Sequence, residues 1–241
     1  MRWLRTLVLF DQGGVVSSED WESIHRSFVR SIERIDSPRG SGRLMLRRKT
    51  QDPESKQWNR NGVGYLRSRF LEHMVTDEGW QAEGEVDLQN LQEKPELRLY
   101  PSMEAYSEPI TSAFGDFDFV TTTDGGIRVA IEWETGNISS SHRSLNKLSI
   151  VLAAKKIQAG VLILPSRNLY EHLTDRIGNI GELSPYLGMW KNMGTTVERG
   201  MLAIAVVEHD ELTDDQEFPY LKVGKDGRAV EGKGKRTAPA K

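Results

Sequence analysis

Asp116, Asp118, Glu132 and Glu134 stand at spacings that could gather their carboxylates around one cation. Residues two apart in a strand project to the same face, so Glu132 and Glu134 point together across Trp133, and Asp116 and Asp118 obey the same rule on a partner strand. If 117–120 and 127–134 pair as a hairpin about the Asp124-Gly125-Gly126 turn, three or four of these acids meet on one patch. Their mutual repulsion is relieved by a divalent cation. Hard oxygen ligands with neither Cys nor a His pair suit magnesium, with manganese as a substitute, rather than zinc. Phosphodiester cleavage needs such a set: carboxylates to hold metal against the phosphate, and a base or activated water for in-line attack. The competing reading is a solvated strand face, the commoner fate of acids on a hairpin. Against it, Glu132 and Glu134 follow the apolar Val129-Ala130-Ile131 and lead into a Gly-Asn turn, where an unpaired acid is costly.

The elements that must position these acids are legible around them. Trp21, Ile24, Phe28, Ile32 and Ile35 recur at helical spacing from Glu19, with Ser17 or Ser18 as cap and Ser37-Pro38-Arg39-Gly40 as stop. Residues 43–49 alternate like a short strand, 64–73 read as a helix, and 83–109 read as irregular structure. After Gly136-Asn137 a helix runs through Leu145, Leu148, Val151, Leu152 and Ile157. The run 160–165 is a strand buried on both faces, 169–177 a helix, and 201–207 another buried strand. This alternation predicts an α/β (α+β) protein with a central mixed β-sheet flanked by helices.

Composition bounds the remainder. A chain of 241 residues with 37% hydrophobic and 28% charged residues fits a single domain over 1–221, followed by a basic, flexible tail over 222–241. A net charge of −3 leaves room for one basic face beside the acids. The absence of cysteine excludes a disulfide framework, a thiolate nucleophile and a Cys zinc site. The opening apolar run reaches Asp11 too soon to span a bilayer and lacks a small-residue cleavage site, so no membrane association and a cytoplasmic location are expected.

Two blocks carry a resemblance. Glu132-Trp133-Glu134-Thr135-Gly136-Asn137 and its continuation to Leu148 closely resemble the central active-site and recognition segment of the BamHI family of type II restriction endonucleases, within the PD-(D/E)xK nuclease superfamily. The stretch from Ile163 to Tyr186 resembles the matching downstream segment at compatible separation, while the N-terminal part matches loosely through Asn61-Gly62-Val63 and the helix ending near Trp80. The resemblance implies a restriction-endonuclease-like fold. It implies Glu132 as a metal ligand, and Glu134 as a metal ligand or the base that orients water, standing where the superfamily usually has lysine. It also implies a metal-bridging aspartate at Asp118, with Asp116 second, and a further active-site glutamate at Glu83, with Glu85 as alternative.

Base reading is implied for Asn137, Ser139, Arg143, Asp175 and Arg176, and with them the sequence GGATCC. Their side chains have the needed chemistry: Arg grips guanine, a carboxylate accepts from cytosine and Asn pairs with adenine. The plainer reading is that Asn137 and Ser139 cap a helix and that Asp175-Arg176 is a surface ion pair. His142 is read as structural or interfacial rather than as a base. One set of readers facing a palindrome requires a dyad-related second copy, hence a homodimer on double-stranded DNA. Cleavage leaving 5′-phosphates, magnesium dependence and a role in restriction-modification follow from the resemblance. The alternative is a sequence-specific DNA-binding protein of the same fold that does not cut, and a third reading is a nuclease of relaxed specificity.

Overall fold

Strands built from near-continuous apolar runs need cover on both faces, and this requirement organises the molecule. The computed structural model describes residues 1–84, 86, 97–105, 116–174 and 177–222. Along the chain run β1 (Arg2–Gln12), α1 (Glu19–Glu33), β2 (Met45–Arg47), β3 (Thr50–Gln51), β4 (Trp58–Asn59), α2 (Gly64–Thr76), β5 (Ala82–Gly84), β6 (Phe117–Thr122) and β7 (Arg128–Trp133). Then follow α3 (Ile138–Ala153), β8 (Ala159–Pro165), α4 (Arg167–Tyr170), α5 (Ile180–Leu183), α6 (Leu187–Met193), β9 (Gly200–Glu208) and β10 (Glu211–Thr213).

Six strands form one sheet in the order β1-β9-β8-β7-β6-β5. β7, β8 and β9 run parallel, whereas β1–β9, β6–β7 and β5–β6 are antiparallel, so the sheet is mixed, as expected. Every residue of β8 and β9 is buried. One face is covered by α1 and α2, whose Ile24, Phe28, Ile32 and Phe70 join a core with Ile131, Val161 and Ala203. The other is covered by α3 and α6, with Leu148, Leu152 and Trp190 against Ala130, Leu162 and Ile204. Ser18 caps α1, its hydroxyl accepting from the Trp21 amide at 3.2 Å.

The opening apolar run, given no element from sequence, is the edge strand β1, paired along its length with β9; two expected helices are cut short. The helix expected over 169–177 is the single turn of α4, because the chain after it is drawn away: Leu173 bridges to Asn61, and the Thr174 amide bonds the Asn61 carbonyl at 2.7 Å. The helix expected to reach Ile157 stops at Ala153, and Lys155 just beyond is left-handed with φ 56°. Of the segment 83–109, β5 is ordered strand at its start. Residues 223–241, where the tail is expected, lie outside the described residues. Among the described residues no helix is long and apolar enough to cross a membrane.

Candidate active site

Sheet register brings candidate acids from three adjacent strands into one row. In β5–β6, Ala82 faces Phe119 and Gly84 faces Phe117, which sets residue 83 opposite Asp118. In β6–β7, Phe119 faces Ile131, and one step further sets Asp118 opposite Glu132. The Glu83 side chain and the whole of Glu85 lie outside the described residues. Gly84 permits the close run of β5: a Cβ there would come within 2.4 Å of Val120 Cβ.

Asp116 and Asp118 do not share a face as the strand rule predicts. Phe117 joins the core on the α3 side and Phe119 the core on the α1–α2 side, so alternation breaks between them. The cause is local. The Asp118 side chain closes the ladder, its Oδ2 accepting from the Trp133 amide at 2.6 Å. Asp118 is buried and Asp116 exposed; it is the Asp116 carbonyl that enters the site, accepting from Lys147 Nζ at 2.7 Å.

Asp118 and Glu132 each already have a cation. Asp118 Oδ1 accepts from Arg67 Nη2 at 2.6 Å and from Nε at 3.2 Å, the arginine reaching over from α2. Lys147 of α3, only 3% exposed, donates to Glu132 Oε1 at 2.9 Å with its ammonium 3.7 Å from the Phe117 ring centroid. Neither Arg67 nor Lys147 was among the residues singled out by sequence. The available signal for Lys147 was its place between Leu145 and Leu148 and four residues before Val151, on the side of the helix that turns inward.

Burial pushes the Glu132 carboxyl above the usual carboxylate range, Lys147 draws it back, and the Asp118 charge raises it again. Glu134 is pushed up to about 7, first by burial and further by the Glu132 charge, against the Gly136 amide that donates to its Oε1 at 2.6 Å. Asp118, Glu132 and Glu134 thus share one electrostatic environment. Among the described residues no three acid or histidine side chains are arranged to hold a metal ion together. The donor chemistry nevertheless fits a hard divalent cation: Asp118 and Glu132 offer paired carboxylate oxygens at the end of a sheet, with cations standing where such an ion would compensate them.

The candidate base readers divide between two blocks that the fold ties together. Asn137 caps α3, its side chain accepting from the Ser140 amide at 3.2 Å, so the capping role anticipated from sequence is present. Asn137, Ser139 and Arg143 are exposed along the first turns of that helix. Asp175 and Arg176 lie outside the described residues, but their flanks are fixed: Ile177 bridges to Asn137, the Gly178 amide bonds the Gly136 carbonyl at 3.0 Å, and Thr174 bonds Asn61. His142 packs edge-on to Tyr186 at 4.5 Å and lies 5.1 Å from Trp190, a structural setting.

Residues 1–228 match the family described as Restriction endonuclease BamHI. The chain is 38% identical over 170 residues to the Type II restriction enzyme OkrAI of Oceanobacter kriegii, covering 70% of this chain and 74% of that protein. It is 49% identical over 59 residues to the Type II restriction enzyme BamHI of Bacillus amyloliquefaciens, covering 24% of this chain and 28% of that one. A similar fold occurs in the crystal structure of restriction endonuclease BglII complexed with a DNA 16-mer, with TM-score 0.53, 8% identity and coverage of 90% of this chain and 88% of that one. The chain belongs to the BamHI family of restriction endonucleases and is a type II site-specific deoxyribonuclease.

Proposed function

We propose that this endonuclease is a homodimer that cuts duplex DNA at GGATCC in a magnesium-dependent hydrolysis leaving 5′-phosphates, and that residues 1–221 make up its nuclease domain. The observation that carries this reading is the row of residues 83, 118 and 132 across β5, β6 and β7, with Glu134 buried two positions on. It favours Asp118 over Asp116, whose side chain is exposed, and Glu83 over Glu85 as the strand-borne glutamate.

Magnesium, or manganese in its place, would be held by Asp118, Glu132 and Glu83, and would supply charge against the scissile phosphate and a more acidic attacking water. The chain's own groups do the rest. The Trp133 amide fixes Asp118 in place. Glu134, with a carboxyl pushed up to about 7, is matched to taking a proton at its carboxylate from an attacking water near neutral pH. Asn137, Ser139 and Arg143 at the start of α3, with Asp175 and Arg176, read the base edges. A palindrome read by one such set per subunit requires two subunits about a dyad. The substrate is the duplex DNA of the cytoplasm, and the basic segment 222–241 adds salt-sensitive attraction to phosphate.

The test is digestion of a plasmid of known sequence by the purified protein with magnesium, beside a Glu132→Ala, Glu134→Ala control, with the cut ends sequenced. Discrete cuts at GGATCC that vanish in the control and without magnesium support the whole reading. Cuts at another sequence overturn the assignment of the readers, and tight binding with no cleavage overturns the assignment of the active site.

A further inference from the structure

Resting on that reading, the ion pairs at the site acquire a role beyond holding strand ends together. Two of the carboxylates assigned to the metal, Asp118 on β6 and Glu132 on β7, are each met by a cation from a different helix. Arg67 of α2 grips Asp118, and Lys147 of α3 grips Glu132. Both pairs are shielded from water: side-chain exposures are 19% and 10% for Arg67 and Asp118, and 4% and 15% for Lys147 and Glu132. Charges this poorly hydrated are weakly screened, so a divalent cation placed on Asp118 or Glu132 would be strongly repelled by an ammonium or guanidinium a few ångströms away.

We propose that Lys147 and Arg67 are internal counter-ions that compete with the metal for Glu132 and Asp118 in the DNA-free protein. They are positioning residues: each holds a carboxylate in the orientation the site needs while compensating its charge. The arriving phosphate brings the negative charge that lets metal and counter-ions coexist, so metal and DNA bind with mutual reinforcement. Lys147 also lies one helical turn beyond Arg143, on the helix whose first turn carries Asn137 and Ser139. The element that seats against the bases therefore carries the counter-ion of the cleavage site.

The experiment titrates Mn2+ into the DNA-free protein by calorimetry for wild type, Lys147→Met, Arg67→Met and Lys147→Arg, with thermal unfolding of each. Lys147→Met and Arg67→Met are expected to bind Mn2+ at least about tenfold more tightly than wild type, and Lys147→Arg to stay as weak as wild type. Arg67→Met supplies the result if Lys147→Met fails to fold, since it leaves the Lys147–Glu132 pair intact. Lowered unfolding temperatures with unchanged Mn2+ affinity would mean purely structural ion pairs and would overturn the inference. Should that happen while wild type still cuts plasmid and the carboxylate variants do not, the metal-nuclease reading survives. Failure of wild type to cut, together with no Mn2+ binding in any variant, would sink both.

Discussion

Gly178 donates its amide to the carbonyl of Gly136 at 3.0 Å, and this bond fastens the loop after α4 to the turn that joins the acidic strand to α3. Through it residues 177 and 178 sit against the Gly136-Asn137 turn, beside Glu134, whose carboxylate accepts from the Gly136 amide.

That contact has no room for a side chain at position 178. A Cβ there would lie 1.8 Å from Ser141 Oγ and 3.0 Å from Ser141 Cβ, and Ser141 is fully buried. Gly178→Ala is therefore expected to lower stability by about 1–3 kcal/mol, the usual cost of overpacking, and to weaken cognate DNA binding by shifting the chain away from the Gly136-Asn137 turn. Chemical denaturation and gel-shift titration measure the two effects. Removing the hydroxyl as well, in Gly178→Ala with Ser141→Ala, is expected to restore part of both. An undiminished midpoint and affinity in the single variant would show that the loop tolerates displacement.

Asn137 has a capping role and a proposed reading role that substitution separates. As a cap it needs only an oxygen that accepts from the Ser140 amide; as a reader it needs donor and acceptor together. Asn137→Asp keeps the cap, so its unfolding midpoint should match wild type while cognate affinity falls by about 1–3 kcal/mol. Asn137→Ala should lose about 1 kcal/mol of stability in addition. Equal cognate affinity in wild type and Asn137→Asp would leave the residue a cap alone.

Periodicity exposed what is local. The α1 stripe, its Ser18 cap, the hairpin turn and the buried strands β8 and β9 are written in spacings of four, two and one, and the structure contains them. What is not local stayed hidden. β1 reads only as a short apolar run until β9 pairs with it, and the end of α4 is decided by Asn61, a residue more than a hundred positions earlier. The acids were found because strand geometry fixes where i and i+2 point. The rule failed between Asp116 and Asp118, where a side chain replaces a backbone acceptor in the ladder. Spacing puts Lys147 on the inward side of its helix, but the partner of a cation on another element leaves no mark in sequence, so neither Lys147 nor Arg67 could be tied to the acids.

The Lys147–Glu132 pair also governs which inactivated variant serves as a control. Truncating Glu132 to Ala leaves a 3% exposed ammonium with its carboxylate gone, and breaking a buried pair from one side typically costs about 3–5 kcal/mol. Glu132→Ala is therefore expected to unfold at lower temperature than Glu132→Gln, whose amide oxygen still accepts from Lys147. Both should lose cleavage, and differential scanning calorimetry separates them. If the two unfold together, the pair contributes nothing to stability and the ammonium is solvated by other means.

Glu134 makes the metal-free protein sensitive to pH in a definite direction. Its folded carboxyl titrates at about 7 against an ordinary value of 4.5, because burial disfavours the charged form and the Glu132 charge adds to that. The folded state therefore holds a proton that the unfolded chain has already released. The associated stability is complete below pH 4.5 and is lost as pH rises to about 7, a decline of about 3 kcal/mol from this group. Urea denaturation in EDTA across that interval should show the decline in wild type. In Glu134→Gln, which cannot ionise, the slope should flatten, whereas an unchanged slope would assign the titration to other groups. Metal favours the charged carboxylates nearby, so saturating magnesium is expected to shrink the decline in wild type, giving the same titration a readout with and without the ion.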